Sequence, residues 1–333
     1  MARRRASIGR RIAFALIAVV LFFGISELSL RALGIPEMDA GAPFAHATVY
    51  WQYTPELVDE PTSHRELNGA FPVSSDENGL RPPHHGVKKS PDVQRIMAMG
   101  CSTTFGWGVD DESTYPYQLE QILHDRGYSK VEVINGGQPG YTTFQGLWLW
   151  DKVLKDYKPD LVLLGFIVQD ARKAAYSDLS QALMQGEADF LKANVLYSWS
   201  TYLLMMEMTG KVRVRTKERS QTEPSDGVYR VGIEDYLDNL RALRAGIEAA
   251  GGQAAHMGYP LEVVGYTETH RNVLRLEAQA AGIPHFDPSD TLAGESKKRD
   301  LYFPQDKGHA NADGNRLVAE LIADWLIDEG LLK

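Results

Sequence analysis

From residue 90 onward, short apolar runs alternate with longer segments whose apolar residues recur at helical spacing. The short runs predict strands over residues 95–99, 131–134, 160–166, 253–257 and 284–287. The longer segments predict helices over residues 115–126, 143–155, 233–249, 267–281 and 312–328. Strands that alternate with helices form parallel sheets with helices packed on both faces. This alternation therefore predicts an α/β domain over residues 91–333.

The alternation stops between residues 171 and 232, which predicts an insertion over about 172–231. The insertion contains an aromatic and Met-rich stretch, "ANVLYSWSTYLLMMEMTG", followed by a charged run, "KVRVRTKERSQTEPSD". An amphipathic helix with a surface loop and a lid that faces the substrate both fit this composition. Residues 35–90 are rich in Pro, Gly, Asp, Glu and His and lack periodicity, so they predict an irregular extension.

The N-terminus combines a basic segment with a long apolar run. Residues 12–30 contain Glu27 as their one charge, and "RRRASIGRR" precedes them. About 20 apolar residues span a bilayer, and flanking arginines stay in the cytoplasm. Residues 1–34 therefore predict a basic tail and a single-pass anchor over about 12–30, with the body in the periplasm or outside the cell. The alternative is a cleaved signal peptide, with residues 32–34 as the cleavage site.

Charge and cysteine content exclude several classes of partner. The whole chain carries a net charge of −9, although its first 34 residues are strongly basic, so the remainder is acidic. A nucleic-acid partner requires a basic face, which argues against nucleic-acid binding. The single cysteine excludes an internal disulfide and a multi-cysteine metal site.

At the end of the apolar segment, Glu27 and Arg31 lie four residues apart, a spacing that predicts an ion pair on one helical face.

The stretch "RIMAMGCSTTFGWGV" ends an apolar strand at Gly100, followed by Cys101 and Ser102. Glycine permits backbone conformations that larger residues resist. A strand, a tight turn and a following helix place Ser102 at the carboxyl edge of the sheet, where open α/β sheets carry their chemistry. An ordinary turn residue or helix cap is the alternative interpretation of Ser102.

Three further segments place polar groups at such edges. "VEVINGGQPGYTT" contains a glycine-rich turn that can direct backbone N–H groups toward a developing negative charge. "DLVLLGFIVQDA" ends a buried strand in Gln169 and Asp170, and a helix cap is the alternative role for Asp170. In "DKGH", Asp306 and His309 lie three residues apart. A carboxylate can hold an imidazole by one nitrogen and leave the other to accept a proton from a serine.

In chain order, "MGCSTTFGWGV", "NGGQPGY", "GFIVQD" and "DKGH" resemble the four sequence blocks of the SGNH/GDSL hydrolase superfamily. The resemblance covers roughly residue 92 to the C-terminus. It implies a three-layer α/β/α sandwich with a flavodoxin-like parallel sheet. It also implies that Ser102 is the nucleophile, His309 the general base and Asp306 the carboxylate that orients it. No metal or organic cofactor is implied.

The same resemblance implies an oxyanion hole built from the backbone N–H groups of Ser102 and Gly137 and a side-chain amide at position 169. The superfamily carries Asn there, whereas Gln169 has a stem one methylene longer but keeps the donor. Cys101 stands where the superfamily often has Asp. We interpret Cys101 as a small packing residue, with a thiol nucleophile as the alternative.

The N-terminal span followed by "DENGLRP" also resembles a membrane-anchored bacterial branch of the superfamily, found beside polysaccharide genes. This resemblance implies a serine esterase or O-acyltransferase for short acyl esters, such as O-acetyl groups of cell-envelope or exopolysaccharide glycans. The expected partners are an acylated small molecule or glycan and the membrane, and no oligomeric state is indicated. The alternative is a non-catalytic glycan-binding or polysaccharide-assembly protein with the same fold, which Gln169 favours and Ser102, Asp306 and His309 oppose.

Overall fold

The computed structural model describes residues 8–33, 53–64, 69–174, 176–186, 199–201, 204, 227–258 and 265–333. Most of the predicted insertion and the start of the predicted extension lie outside these residues. The chain divides into two compact units. The first comprises residues 1–40 and 181–222, and the second comprises residues 41–180 and 223–333.

Helix α1 (Ile8–Ala32) dominates the described part of the first unit. Its stretch Phe14–Ala32 has a mean hydropathy of 1.9 and is long and apolar enough to cross a membrane, a criterion that a signal sequence also meets. Glu27 and Arg31 pair on this helix, with 2.6 Å between Glu27 Oε1 and Arg31 Nε. The predicted ion pair is therefore confirmed.

The Glu27 carboxylate also binds a segment far away in the sequence. Its oxygens accept hydrogen bonds from the backbone N–H groups of Ser200 and Thr201, both at 2.9 Å, and from Thr201 Oγ1 at 3.0 Å. Ser200 and Thr201 are helical, so the carboxylate satisfies N–H groups of helical residues. Within the first unit, Glu27 thus joins α1 to the part of the chain around residue 200.

The second unit is built on a parallel sheet. Its strands are β3 (Gln94–Gly100), β4 (Val131–Gly137), β5 (Leu161–Gly165), β8 (Gln253–Met257) and β9 (His285–Phe286), in the order β4-β3-β5-β8-β9. All four neighbouring pairs are parallel. In order of appearance this arrangement is 2-1-3-4-5, the flavodoxin-like order, whose ligands bind at the carboxyl edge where the order reverses. The predicted sheet is confirmed.

Helices cover both faces of this sheet. In chain order, the helices of the second unit are α2 (Ser102–Phe105), α3 (Tyr115–Asp125), α4 (Thr143–Lys152), α6 (Ile233–Ala249), α7 (Glu268–Ala281), α8 (Ser289–Glu295) and α9 (Ala312–Asp328). Helix α5 (Asp178–Gly186) begins in the second unit, and its later residues belong to the first. Alternate β3 side chains face opposite layers, as strand geometry requires. Ile96 and Ala98 pack with residues of α3 and α9, while Met97 and Met99 pack with residues of α4 and α6. The three-layer α/β/α sandwich is therefore confirmed.

Short antiparallel pairs complete the described strands. They are β1 (Glu60–His64) with β2 (Gly69–Val73), β6 (Lys173–Ala174) with β7 (Val228–Tyr229), and β10 (Tyr302–Phe303) with β11 (Asp306–Ala310). The β1–β2 hairpin lies where the sequence predicts irregular structure, and for these strands that prediction is wrong. Phe71 and Val73 of the hairpin pack with Tyr53 against Phe105 of α2. Buried apolar contact therefore fixes the extension to the sandwich.

Arg81 connects the same extension to the end of α2 and the chain that follows it through hydrogen bonds and an ion pair. Its guanidinium is almost completely buried and lies 2.6 Å from Asp111 Oδ1. It also donates to the carbonyl oxygens of Phe105 at 3.0 Å, Gly106 at 2.9 Å and Val109 at 3.1 Å. A buried charge is stable only when it is paired and hydrogen-bonded, and these contacts supply both conditions.

We expect Arg81→Ala to lower the free energy of unfolding by about 3–5 kcal/mol, because it removes a buried guanidinium that pairs with the Asp111 carboxylate and donates to backbone carbonyl oxygens. Urea denaturation measures this loss. Arg126→Ala is the matched control, since Arg126 pairs with Asp324 at 2.6 Å on the surface and should cost less than about 1 kcal/mol. Equal losses in the two variants would contradict the role assigned to Arg81.

Candidate active site

Two glycines let α2 pack directly against the ends of β3 and β4. A Cβ atom on Gly100 would lie 2.2 Å from Thr104 Oγ1, and one on Gly137 would lie 2.2 Å from the backbone nitrogen of Phe105. Real Cβ atoms do not approach so closely, so both positions require glycine. Ser102 begins α2 immediately after this contact. The packing therefore places Ser102 at the carboxyl edge of the sheet.

Ser102, His309 and Asp306 form a continuous hydrogen-bonded chain. His309 Nε2 lies 2.8 Å from Ser102 Oγ, and His309 Nδ1 lies 2.5 Å from Asp306 Oδ2. Ser102 is 7% exposed, and both partner side chains are partly buried. The structure thus brings Ser102 into contact with His309, which lies 207 positions away in the sequence. This geometry suits proton transfer from the serine hydroxyl to the imidazole.

The β10–β11 hairpin fixes the aspartate and histidine of this chain. Asp306 Oδ1 accepts the Gly308 N–H at 3.1 Å, which leaves Oδ2 for His309. Beyond the hairpin, Asn315 Nδ2 donates to the Ala310 carbonyl at 3.0 Å, and Asn315 Oδ1 accepts the Tyr115 N–H at 3.1 Å. The ends of β11, α3 and α9 are therefore tied to one another. The sequence analysis missed Asn315, which follows the motif within the last helical pattern.

Cys101 lies beside Ser102 but in a different environment. It is buried in an apolar cluster with Ile167 and Val168, and its Sγ lies 3.2 Å from Thr103 Oγ1. Burial raises the pKa of the Cys101 thiol, so the thiol form predominates over the reactive thiolate. These contacts support the packing role of Cys101. The imidazole of His309 contacts the neighbouring Ser102, through Nε2 and Oγ.

Of the predicted oxyanion donors, Gly137 is engaged elsewhere in this structure. Its N–H donates to Asn135 Oδ1 at 3.1 Å. The close contact of Gly137 with Phe105 gives this glycine a packing role in addition. The oxyanion role of the Gly137 N–H stays a prediction, which requires Asn135 to release it.

Gln169 follows β5, is nearly buried, and has a partner that the sequence analysis missed. Arg230 Nη1 donates to Gln169 Oε1 at 3.0 Å and to the Gly140 carbonyl oxygen at 2.7 Å. Asp178 pairs with the same guanidinium at 2.9 Å. Arg230 and Asp178 belong to no sequence block and lie near the two ends of the predicted insertion, so no local pattern reveals this contact.

Asp170, the neighbour of Gln169, is completely buried. Its Oδ1 accepts the backbone N–H of Thr143 at 2.8 Å and the Thr143 hydroxyl at 2.6 Å. Thr143 begins α4, so Asp170 supports the start of a helix that is distant in sequence. Asp170 Oδ2 has no hydrogen-bond partner. Burial raises the pKa of this carboxyl from 3.8 to about 7.

With this geometry established, comparison with known proteins identifies the family. The model of the GDSL-like lipase/acylhydrolase family matches residues 98–317. The chain belongs to this family. It is therefore a serine ester hydrolase by family, and the resemblance drawn from its four sequence blocks is confirmed. No curated protein sequence matches the chain.

Several solved structures are similar to this one. A lipase/acylhydrolase from Enterococcus faecalis is 18% identical, with a TM-score of 0.46, and the match covers 72% of this chain and 98% of that one. A variant of the acetyl xylan esterase Axe2 from Geobacillus stearothermophilus is 14% identical, with a TM-score of 0.46, covering 72% and 96%. The psychrotrophic esterase EstA from Pseudoalteromonas sp. is 18% identical, with a TM-score of 0.44, covering 70% and 98%.

The raised pKa of Asp170 has a consequence for the pH dependence of stability. Between pH 3.8 and about 7 the folded chain retains a proton that the unfolded chain has released. The contribution of Asp170 to stability is therefore complete below pH 3.8 and is lost as the pH rises through about 7. Asn keeps an acceptor for Thr143 and does not ionise. We expect the Tm of Asp170→Asn, relative to the unmodified protein, to rise from pH 4 to pH 8. Thermal melts across this range test the effect, and a constant difference would contradict it.

Proposed function

We propose that this hydrolase uses Ser102 as nucleophile, His309 as general base and Asp306 as the carboxylate that orients His309. The observation that carries the proposal is the hydrogen-bonded chain from Ser102 Oγ through His309 to Asp306 Oδ2. Each nitrogen of the imidazole has the partner that its role requires. Asp306 favours the tautomer with a proton on Nδ1, so Nε2 can accept the serine proton.

The reaction would proceed through an acyl-enzyme. Ser102 Oγ attacks the carbonyl carbon of the ester while its proton passes to His309 Nε2. The tetrahedral intermediate then collapses, and the alcohol leaves with that proton. In the second half-reaction, water or a sugar hydroxyl attacks the acyl-enzyme, and its proton passes to His309 Nε2. The second tetrahedral intermediate collapses, the bond between Ser102 Oγ and the acyl carbon breaks, and His309 returns the proton to Ser102 Oγ. Transfer to water makes the protein an esterase, whereas transfer to a sugar makes it an O-acyltransferase.

The oxyanion of this intermediate requires hydrogen-bond donors. Ser102 is the first residue of α2, and N–H groups at the start of a helix lack intrahelical acceptors. We therefore assign the Ser102 N–H and the Gln169 amide as donors. The Gly137 N–H is a third donor when Asn135 releases it. Such donors stabilise the transition state more than the substrate because charge develops on the oxygen during attack.

For the substrate, we propose short acyl esters, including O-acetyl groups on cell-envelope or exopolysaccharide glycans. The support is the sequence resemblance to the membrane-anchored bacterial branch. The active body would then act outside the cytoplasm, close to glycans at the cell surface. Acetate released from acetylated glycans, compared with turnover of long-chain p-nitrophenyl esters, tests the substrate class. A preference for the long-chain esters would contradict it.

For the location, we propose that α1 stays attached as a membrane anchor. The support is the Glu27 carboxylate, which accepts three hydrogen bonds from Ser200 and Thr201. Cleavage at residues 32–34 would separate this acceptor from the rest of the chain. Helical N–H groups at Ser200 and Thr201 would then lose their partner within the first unit.

The catalytic assignment gives a graded expectation for single variants. Ser102→Ala and His309→Ala should each lower kcat for p-nitrophenyl acetate by about 10⁴-fold or more, because the residues act as one unit. Asp306→Ala should cost less, since Asp306 orients the base and does not react. Fluorophosphonate labelling of the unmodified chain, absent in Ser102→Ala, checks the nucleophile directly.

Cys101→Ser is the matched control for the nucleophile assignment and should retain labelling and most turnover. Loss of activity in Cys101→Ser together with activity in Ser102→Ala would move the nucleophile to Cys101. An unmodified chain that neither labels nor turns over esters would favour the non-catalytic glycan-binding alternative.

The proposed anchor can be tested independently by membrane fractionation. We expect the full chain to remain in the membrane pellet after carbonate extraction, with its N-terminal residues intact by mass spectrometry. About 20 apolar residues insert stably, whereas a peripheral protein is released by high pH. A released protein whose sequence starts near residue 35 would contradict the anchor and support the cleaved signal peptide.

A further inference from the structure

The Arg230 guanidinium joins three parts of the second unit around the candidate site. It forms two parallel contacts with Asp178, from Nε to Oδ1 at 3.0 Å and from Nη2 to Oδ2 at 2.9 Å. Its Nη1 donates to Gln169 Oε1 after β5 and to the Gly140 carbonyl in the glycine-rich turn after β4. Arg230 therefore links two segments that the sequence analysis associates with the oxyanion.

The pairing with Asp178 holds this guanidinium in place. The side chains of Arg230 and Asp178 are 19% and 3% exposed, so the ion pair is largely shielded from water. Asp178 Oδ2 also accepts the Thr142 hydroxyl at 2.8 Å, and the Asp178 N–H donates to the Arg230 carbonyl at 2.7 Å. Two-point contacts between arginine and a carboxylate fix orientation as well as distance. Nη2 also donates to Gln145 Oε1 at 3.4 Å. Nη1 consequently points in a defined direction.

This direction determines how the Gln169 amide is oriented. A guanidinium has donors and no acceptor, so only the carbonyl end of an amide can face it. With Oε1 held by Arg230, the NH2 end of Gln169 points away from the guanidinium. A hydrogen bond to the carbonyl oxygen also polarises the amide and strengthens its N–H groups as donors.

We infer that Arg230 is a positioning residue for ester cleavage, which orients and polarises the Gln169 amide as an oxyanion donor. The inference rests on the proposed role of Gln169 in the oxyanion hole. It explains how the longer glutamine can serve where the superfamily carries asparagine, since an added contact restricts the additional rotatable bond. Arg230 acts through Gln169 and does not touch the reacting atoms.

A purely structural role for Arg230 predicts a different effect on catalysis. A buried ion pair that only stabilises the fold would affect catalysis to the same extent whether or not Gln169 is present. A residue that acts through Gln169 should lose its effect once the amide is removed. A double-mutant cycle on kcat distinguishes the two roles, because it measures the interaction between the positions.

The experiment compares Arg230→Lys, Gln169→Ala and the double variant in the full chain, with p-nitrophenyl acetate as substrate. Lysine keeps the positive charge for Asp178 but lacks the fork that reaches Asp178, Gly140 and Gln169 together. We expect each single variant to lower kcat about tenfold with KM changed less than about twofold. The double variant should be no slower than Gln169→Ala. Asp178→Asn, which loosens the guanidinium, should reproduce the pattern if Arg230→Lys does not fold.

Arg241→Lys is the matched control, because Arg241 on α6 pairs with the buried Glu277 of α7 at 3.2 Å and should leave kcat unchanged. Multiplicative losses in the double variant, or a normal kcat in Arg230→Lys, would overturn the inference while fluorophosphonate still labels Ser102. Absence of labelling in the unmodified chain would instead overturn the proposed function, and the inference with it.

Discussion

Close contact between α2 and two glycine-terminated strands positions Ser102. Gly100 and Gly137 leave room for Thr104 and Phe105, and any larger residue would force α2 away from the sheet. Displacement of α2 would lengthen the 2.8 Å contact between Ser102 Oγ and His309 Nε2. The sandwich supports the geometry of the site because its layers hold α2 and the sheet at fixed distances.

Three aspartates near the sheet edge have different roles because their environments differ. Asp306 accepts hydrogen bonds from His309 and the Gly308 N–H, and so aligns the imidazole. Asp178 pairs with Arg230 in a largely buried site, where a fixed counter-charge stabilises the carboxylate. Asp170 is buried with one oxygen unpaired, and its raised pKa of about 7 favours the neutral acid. A single residue type thus contacts an imidazole, pairs with a guanidinium and supports a helix start.

The sequence predicted the sheet well because strands and helices in this fold follow local periodicity. Helix α6 and strand β8 begin and end where the apolar pattern does. Ser102, Asp306 and His309 were also predictable, since each lies in a short block at a strand or hairpin end. Arg230 was not predictable from local pattern, because its role depends on partners 52 to 90 positions away. The β1–β2 hairpin was missed because its residues, "EPTSH" and "GAFPV", include proline and alternate weakly.

The contacts of Arg81 and of the β1–β2 hairpin show that the region matched by the family model differs from the region that packs together. The family match begins at residue 98, inside β3, whereas the buried packing of the second unit reaches back at least to Tyr53. The stretch shared with the family is therefore shorter than the stretch that packs together. A chain trimmed to residues 98–317 would lose the start of β3 and would also lose Arg81, which donates to the Phe105 and Gly106 carbonyl oxygens. The limits of homology are therefore a poor guide to where this protein can be cut.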